Sequence, residues 1–296
     1  MGGMPAGQPG EEQRIERELV GLYEMVDGDE WQGVHLHAHP GQQQAWESTA
    51  RFVFIIAGHQ SGKTSFGPHW LLREIRGEHV GRGPGDYYAV TSTYDLFKVK
   101  MLPELLRLFE REGWRYHASD QVLLSSDGLY RVILRSATAL GGLEAGTAKA
   151  AWVDECGQDA FPLEAWEAVQ RRLAIHQGRV LGTTTPYNLG WLKTVVFDRW
   201  VGGDPDYEVI QFRSIDNPAY PRAEYERQRA TLPRWKFEMF CNGNFSRPAG
   251  LVYGDYVDSY APQSASGGFR CAQRSGAVDL TEWKEGVHGH LVRAFS

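Results

Sequence analysis

Residues 57–65 read AGHQSGKTS. Gly62, Lys63 and Thr64 have the types and spacing that polyphosphate chemistry needs. Gly62 lets the backbone approach phosphate oxygens, and the following N–H groups and helix N-terminus form a positive concavity. Lys63 supplies a point charge for the β- and γ-phosphates, and the Thr64 hydroxyl is suited to ligate magnesium. Gly58, His59, Gln60, Ser61 and Ser65 complete the candidate nucleotide-binding loop. Ala57 stands where such loops usually begin with Gly. The implied ligands are ATP and Mg2+.

Such a loop hydrolyses nothing by itself; it needs a carboxylate for the metal and a group that polarises water. KAAWVDEC offers both at the end of an apolar strand. Asp154 is placed for the magnesium shell and Glu155 for general-base work. GRVLGTTTP ends another strand with Thr183, Thr184 and Thr185, whose hydroxyls can sense a γ-phosphate. The bland alternatives are solvated acids and β-branched strand filler.

These residues need strands that end together. RFVFIIA reads as a strand leading into the loop, followed by an amphipathic helix to about Arg76. GRGPGD is a loop. DYYAVTS is a strand, followed by a helix over 95–112. QVLLSSDGLYRVIL reads as a hairpin about Asp127-Gly128. KAAWVD is a strand with a helix over 162–174. GRVLGTTT is a strand with a helix beyond Pro186, and EVIQFRS is the last clear strand. Strands alternating with helices predict an α/β fold with a mostly parallel sheet covered on both faces. The expected organisation is a flexible tail and lead helix over 1–28, an ATPase core over 29–214, a small helical lid or linker over 215–258, and a tail over 259–296. Ile15, Leu19, Leu22 and Val26 give the lead helix its apolar face.

Composition bounds the function classes. With 42% apolar residues the chain can bury a core, and no apolar run approaches a membrane span. The three cysteines lie far apart, which argues against a disulfide framework or a zinc site and suits a reducing cytoplasm. The net charge of −6 does not advertise nucleic acid, but a local basic patch can sit on an acidic protein. Lys98, Lys100 and the Arg-rich 222–236 segment are candidates for such a patch.

Taken in order, HPGQQQAWES, AGHQSGKTS, LEAGTAKAAWVDECGQ and RRLAIHQGRVLGTTTPYNLGWL resemble the large terminase subunit of tailed bacteriophages, over about residues 30–258. The resemblance implies an additional-strand P-loop ATPase (the ASCE, RecA-like class) that translocates double-stranded DNA into a procapsid. It further implies a ring of five subunits, a portal protein and a small terminase subunit as partners, and residence in the host cytoplasm with transient docking at the portal vertex. Gln42 matches the family's adenine-reading glutamine, Arg51 is a further nucleotide contact, and Thr183–Thr185 match the motif that couples hydrolysis to movement. His59 departs from the arginine common at its position, and a neutral histidine is no permanent transition-state cation. A finger from a neighbouring subunit then becomes attractive, with Arg171, Arg172 and Arg135 as candidates.

The family's ribonuclease H-like nuclease domain is expected to be missing or truncated. GAVDL, with Asp279, has the look of its first strand, but Asp279, Glu282 and Glu285 read as tail charges, and His288 and His290 form only a lone H-x-H. No nuclease activity is therefore expected of this chain, the nuclease being either a separate chain or lost. Two other readings compete with the motor. One is a helicase-like or repair ATPase, which would separate strands. The other is a non-catalytic assembly subunit, which would bind nucleotide without turnover.

Overall fold

The computed structural model describes residues 38–77, 83–139 and 146–247, and the backbone of 270–273 and 276–279. The expected lead helix and most of the expected tail lie outside these residues. The chain divides into two units, Met1–Ser246 and Arg247–Ser296. In the second, β9 (Arg270–Gln273) and β10 (Gly276–Asp279) form an antiparallel pair.

The first unit is built on an eight-stranded sheet. Its strands are β1 (Phe52–Ile56), β2 (Gly85–Thr91), β3 (Arg115–His117), β4 (Val122–Leu124), β5 (Tyr130–Ser136), β6 (Ala150–Asp154), β7 (Arg179–Thr184) and β8 (Tyr207–Ile210). The order is β3-β4-β5-β2-β6-β7-β1-β8. The β5-β2-β6-β7-β1-β8 run is parallel, and β3 and β4 add an antiparallel edge. β7 lies between the strand before the phosphate loop and the strand carrying the acidic pair, which is the additional-strand arrangement. The β4–β5 pairing matches the expected hairpin. β3 gave no sequence signal, because three exposed or half-buried residues on an edge have no apolar pattern to read.

Helices cover both faces. Alternation along β1 sends Val53 and Ile55 to one side and Phe52, Phe54 and Ile56 to the other. On the first side pack α1 (Pro40–Glu47), α2 (Lys63–Arg76) and α3 (94–109), through Ala45, Phe66, Trp70, Met101 and Leu105. On the second pack α4 (Leu163–Leu173) and α5 (192–201), through Trp166, Val169, Leu192 and Val196. Two helices open or swell into π turns, at Phe97–Met101 within α3 and Leu192–Phe197 at the start of α5. In α2, Gly67 leaves room for Trp152 of β6, whose ring would lie 2.0 Å from a Cβ there.

β8 stops at Ile210, short of the expected end at Ser214. The next residues leave the sheet, and the Phe212 carbonyl accepts the Gly58 N–H at 3.0 Å. A 3-10 turn (Ser214–Asp216), α6 (Arg222–Thr231) and α7 (Arg234–Phe240) follow, around a small core of Tyr220, Tyr225, Phe237 and Cys241.

Candidate active site

Parallel strands put their carboxyl ends along one edge, and the loops leaving that edge assemble the site. The phosphate loop leaves β1 there. Gly62 adopts φ of 84°, open to glycine at little cost, and a Cβ there would crowd the Gln42 amide at 2.8 Å. Gly58 is constrained differently: a Cβ would meet the Cys241 carbonyl at 2.3 Å and Ser214 at 2.4 Å.

The Lys63 ammonium is buried and folded back into its own loop. It donates to the carbonyls of Ala57 (3.1 Å) and Gly58 (2.5 Å), and lies 3.3 Å from the Ser61 hydroxyl and 3.2 Å from the Thr185 hydroxyl. Burial holds its pKa down, to about 8, against the opposing pull of Glu155 and Asp154. A phosphate is the kind of partner such a desolvated cation lacks.

Thr64 Oγ1 stands 3.2 Å from one Asp154 carboxylate oxygen and 3.5 Å from the other. A hydroxyl beside a carboxylate is a hard-oxygen donor pair suited to Mg2+. Trp152 Nε1 donates to Thr183 Oγ1 (2.8 Å), which donates to Asp154 Oδ1 (2.6 Å). That relay fixes the carboxylate's orientation. Burial and the adjacent Glu155 carboxylate push the Asp154 pKa up, the response of an anion that a cation would neutralise. On β2, the register neighbour of Asp154 is Thr91, whose buried hydroxyl has no hydrogen-bond partner among the described residues. Register neighbours share a sheet face, so this free hydroxyl fits the water shell of a bound ion.

Glu155 sits just past the strand with φ of 53°, a left-handed conformation uncommon for a side-chain-bearing residue. Its N–H donates to the Thr183 carbonyl at 2.7 Å. Lys100 Nζ donates to Oε1 (3.1 Å) and the Tyr187 hydroxyl to Oε2 (2.9 Å). Neither partner was expected at the site. Lys100 comes from the π turn of α3, and only the tertiary fold brings it to β6.

The other expected residues divide clearly. Gln42 packs under the loop: Nε2 donates to the Gly62 carbonyl (3.0 Å), and Oε1 accepts from the His39 N–H (3.2 Å). His39 caps α1 and Pro40 opens it, which sets Gln42 at the third helical position. His59 stacks on Phe240 with centroids 5.8 Å apart, and burial, then Lys63, lower its pKa, so it is neutral at physiological pH. Gln60 offers its carbonyl to Asn217 Nδ2 (2.7 Å), Ser61 donates to the Gly58 carbonyl (2.6 Å), and Ser65 donates to the Gly62 carbonyl (3.3 Å). Thr184 turns inward, accepting from the Gly157 N–H at 2.9 Å, so of the three threonines Thr185 is the one beside Lys63.

Arg51 is not brought to this edge. It precedes β1, which separates it from the loop by a five-residue strand, roughly 17 Å at about 3.3 Å per residue. Arg51 instead lines a cleft of about 600 Å³ at the opposite edge, with Arg179, Trp200 and Glu208. Arg171 and Arg172 end α4 at that same far edge, where the Arg172 carbonyl accepts the Ala148 N–H just before β6. Neither can serve the phosphate loop of its own chain. Arg135 lies near the carboxyl end of β5 and donates to the carbonyls of Leu134 (2.7 Å) and Asp120 (3.3 Å).

Comparison with solved structures finds the same fold in phage large terminases. The large terminase ATPase domain of Thermus phage P74-26 superposes with a TM-score of 0.59 at 21% identity, over 71% of this chain and 94% of that one. The large terminase of another thermophilic bacteriophage, in complex with ATP-gamma-S, gives 0.59 at 13% identity, over 87% and 73%. The bacteriophage HK97 large terminase gives 0.57 at 14%, over 72% and 52%. No curated protein matches the chain. The model of the T4likevirus-type terminase large subunit, N-terminal, matches residues 54–254. With the phosphate loop, the acidic pair and the intervening strand all inside that span, the chain belongs to the terminase large subunit family, of which it carries the N-terminal region.

Proposed function

We propose that this chain is the ATP-hydrolysing subunit of a motor that drives double-stranded viral DNA into a procapsid. The observation that carries the reading is the convergence of Lys63, Thr64, Asp154 and Glu155 at one sheet edge, with Thr64 and Asp154 already side by side. ATP is the substrate. Lys63 and the loop N–H groups hold its phosphates, and Gln42 beneath the loop is the candidate for the adenine. Thr64 and Asp154 would hold Mg2+, which when bound neutralises phosphate charge. Glu155 orients a water at the γ-phosphorus. The new P–O bond forms in line as the bond to the bridging oxygen breaks, its electron pair leaving on ADP while the water's proton passes to the Glu155 carboxylate. Thr185, beside Lys63 at the end of β7, is placed to sense the γ-phosphate and pass its loss to the strand.

His59 is neutral, so a transition-state cation is assigned to a neighbouring subunit. Arg135, Arg171 and Arg172 remain the candidates, and the assembled form is a homo-oligomeric ring, five subunits on the family's pattern. Duplex DNA is bound through phosphates, hence sequence-tolerantly and salt-sensitively. The portal protein and a small terminase subunit are the proposed partners, met in the host cytoplasm at the portal vertex. The 214–241 segment acts as the lid.

Steady-state ATP turnover with and without linear duplex tests the reading, with Glu155→Gln as control. Turnover is expected to rise with duplex and to fall about 10²–10⁴-fold in the variant, the usual worth of a general base, while nucleotide binding persists. Equal turnover by wild type and variant would remove Glu155 from the chemistry.

A further inference from the structure

Tyr187 lies just past the end of β7, in the loop that Thr185 and Pro186 begin. Its hydroxyl donates to Glu155 Oε2 at 2.9 Å. Burial, then the Glu155 carboxylate, push the pKa of this phenol up, so it keeps its proton. A carboxylate only accepts, which fixes the direction of the bond. The phenol is held from behind. Ser92, just past β2, donates to Gln158 Oε1 at 2.9 Å and so turns the amide nitrogen the other way. Gln158 and Thr185 act as donors on the Tyr187 oxygen. An oxygen supplied with donors has only its own hydrogen left to give. The ring is held as well: it packs near Phe240 of α7, 6.1 Å between centroids, and Phe240 stacks on His59 of the phosphate loop. Glu155 itself is fixed only at its backbone, by its left-handed turn and the N–H to the Thr183 carbonyl. Its carboxylate stands beyond several rotatable bonds. The partner on its other oxygen, Lys100, is a flexible side chain 47% exposed, which is a weak constraint.

We propose that Tyr187 is a positioning residue for hydrolysis, its hydroxyl setting the plane of the Glu155 carboxylate so that the free lone pairs face the attacking water. This rests on the reading of Glu155 as the water-orienting group. A carboxylate offers about four acceptor sites. Tyr187 and Lys100 take one each, and sites remain for the water and its proton. No bond to Tyr187 forms or breaks during turnover, and its hydroxyl touches neither ATP nor the water. What it supplies is order. A reacting group has to be held within about 0.5 Å of its productive geometry by neighbours whose own rotamers are locked. Packing on Phe240 locks the ring, and the donors behind the phenol lock the direction of its hydrogen.

Single-turnover hydrolysis of ATP, with protein in excess and linear duplex present, is measured in wild type, Tyr187→Phe, Glu155→Gln and the double variant, together with the affinity of each for ATP-gamma-S. Tyr187→Phe keeps the ring and its packing and removes only the hydroxyl. Its rate is expected to fall about ten- to a hundredfold, the range for a lost hydrogen bond to a charged group, while ATP-gamma-S binds as tightly as to wild type. In the Glu155→Gln background the same change is expected to cost less than about threefold, because the phenol acts only through the carboxylate. A Tyr187→Phe rate equal to that of wild type overturns the proposal. So does a loss that recurs in full in the Glu155→Gln background, which would place the action of Tyr187 elsewhere, or one matched by an equal loss of ATP-gamma-S affinity, which would make it a binding residue. Undiminished turnover in Glu155→Gln overturns instead the assignment of Glu155 itself. Melting temperatures measured alongside show that all four proteins are folded at the assay temperature.

Discussion

Lys63 has a buried ammonium whose neighbours are mostly carbonyls and hydroxyls of its own loop. Its proton is held less tightly than in an exposed lysine, burial bringing the pKa to about 8. A bound phosphate would raise that value again, so ATP binding takes up a proton wherever the free site has lost one. Below about pH 8 the lysine is already charged and affinity is flat on this account. Above it, the dissociation constant of ATP should rise by up to about tenfold per pH unit. Calorimetry without Mg2+ across pH 7 to 10, in two buffers of different ionisation enthalpy, measures both the affinity and the proton uptake. Lys63→Met should bind weakly at every pH and take up no proton.

At the scale of elements, the site depends on how closely α2 lies against β6. Gly67 sits in the middle of α2, where alanine would ordinarily favour the helix by roughly 1 kcal/mol. Here a Cβ would fall 2.0 Å from the Trp152 ring, which cannot retreat because its Nε1 is hydrogen-bonded to Thr183. Overpacking of this sort costs about 1–3 kcal/mol. Gly67→Ala should therefore lower the melting temperature despite the better helix former. It should also lower kcat, because Trp152 and Thr183 hold the Asp154 carboxylate in place. A variant with unchanged melting and turnover would show that the helix simply shifts away. The same reasoning explains why Trp152 escapes notice in KAAWVD: its apolar type suits any buried strand, and its polar N–H matters only once β7 is known to lie alongside.

At the scale of the whole first unit, the phosphate loop is tied to the 214–241 segment. Ser214 Oγ donates to the His59 carbonyl (2.7 Å), Asn217 Nδ2 to the Gln60 carbonyl (2.7 Å), and the His59 N–H to the Phe240 carbonyl (2.8 Å). The Ser214 N–H donates to the Cys241 carbonyl at 2.7 Å and closes the segment on itself. A nucleotide that orders the loop must then order these contacts. Hydrogen exchange should show slower amides across 214–243 on adding ATP-gamma-S, together with those of 58–65. Ser214→Ala should reduce that protection and weaken nucleotide binding by a few-fold, one net hydrogen bond being worth about 1 kcal/mol. Protection confined to 58–65 would remove the lid from the mechanism.

Much of this arrangement was legible in the residues themselves, because its causes are local. AGHQSGKTS between an apolar run and an amphipathic helix specifies a phosphate loop, and a strand ending in Asp154-Glu155 specifies its acidic partner, since main-chain geometry and side-chain type act within a few residues of each other. Alternating strands and helices likewise determined a covered parallel sheet. The strand order and register were decided by the tertiary structure, through packing between segments far apart in the chain. That order sets Arg51, Arg171 and Arg172 on the edge away from the loop, although nothing in their local sequence distinguishes them from arginines that could reach it. It also brings Lys100, read from sequence as a surface cation, to within hydrogen-bonding distance of Glu155. Sequence determined which chemistry the chain carries; three-dimensional packing decided which charges meet, because electrostatic contact depends on distance in space and not on separation along the chain.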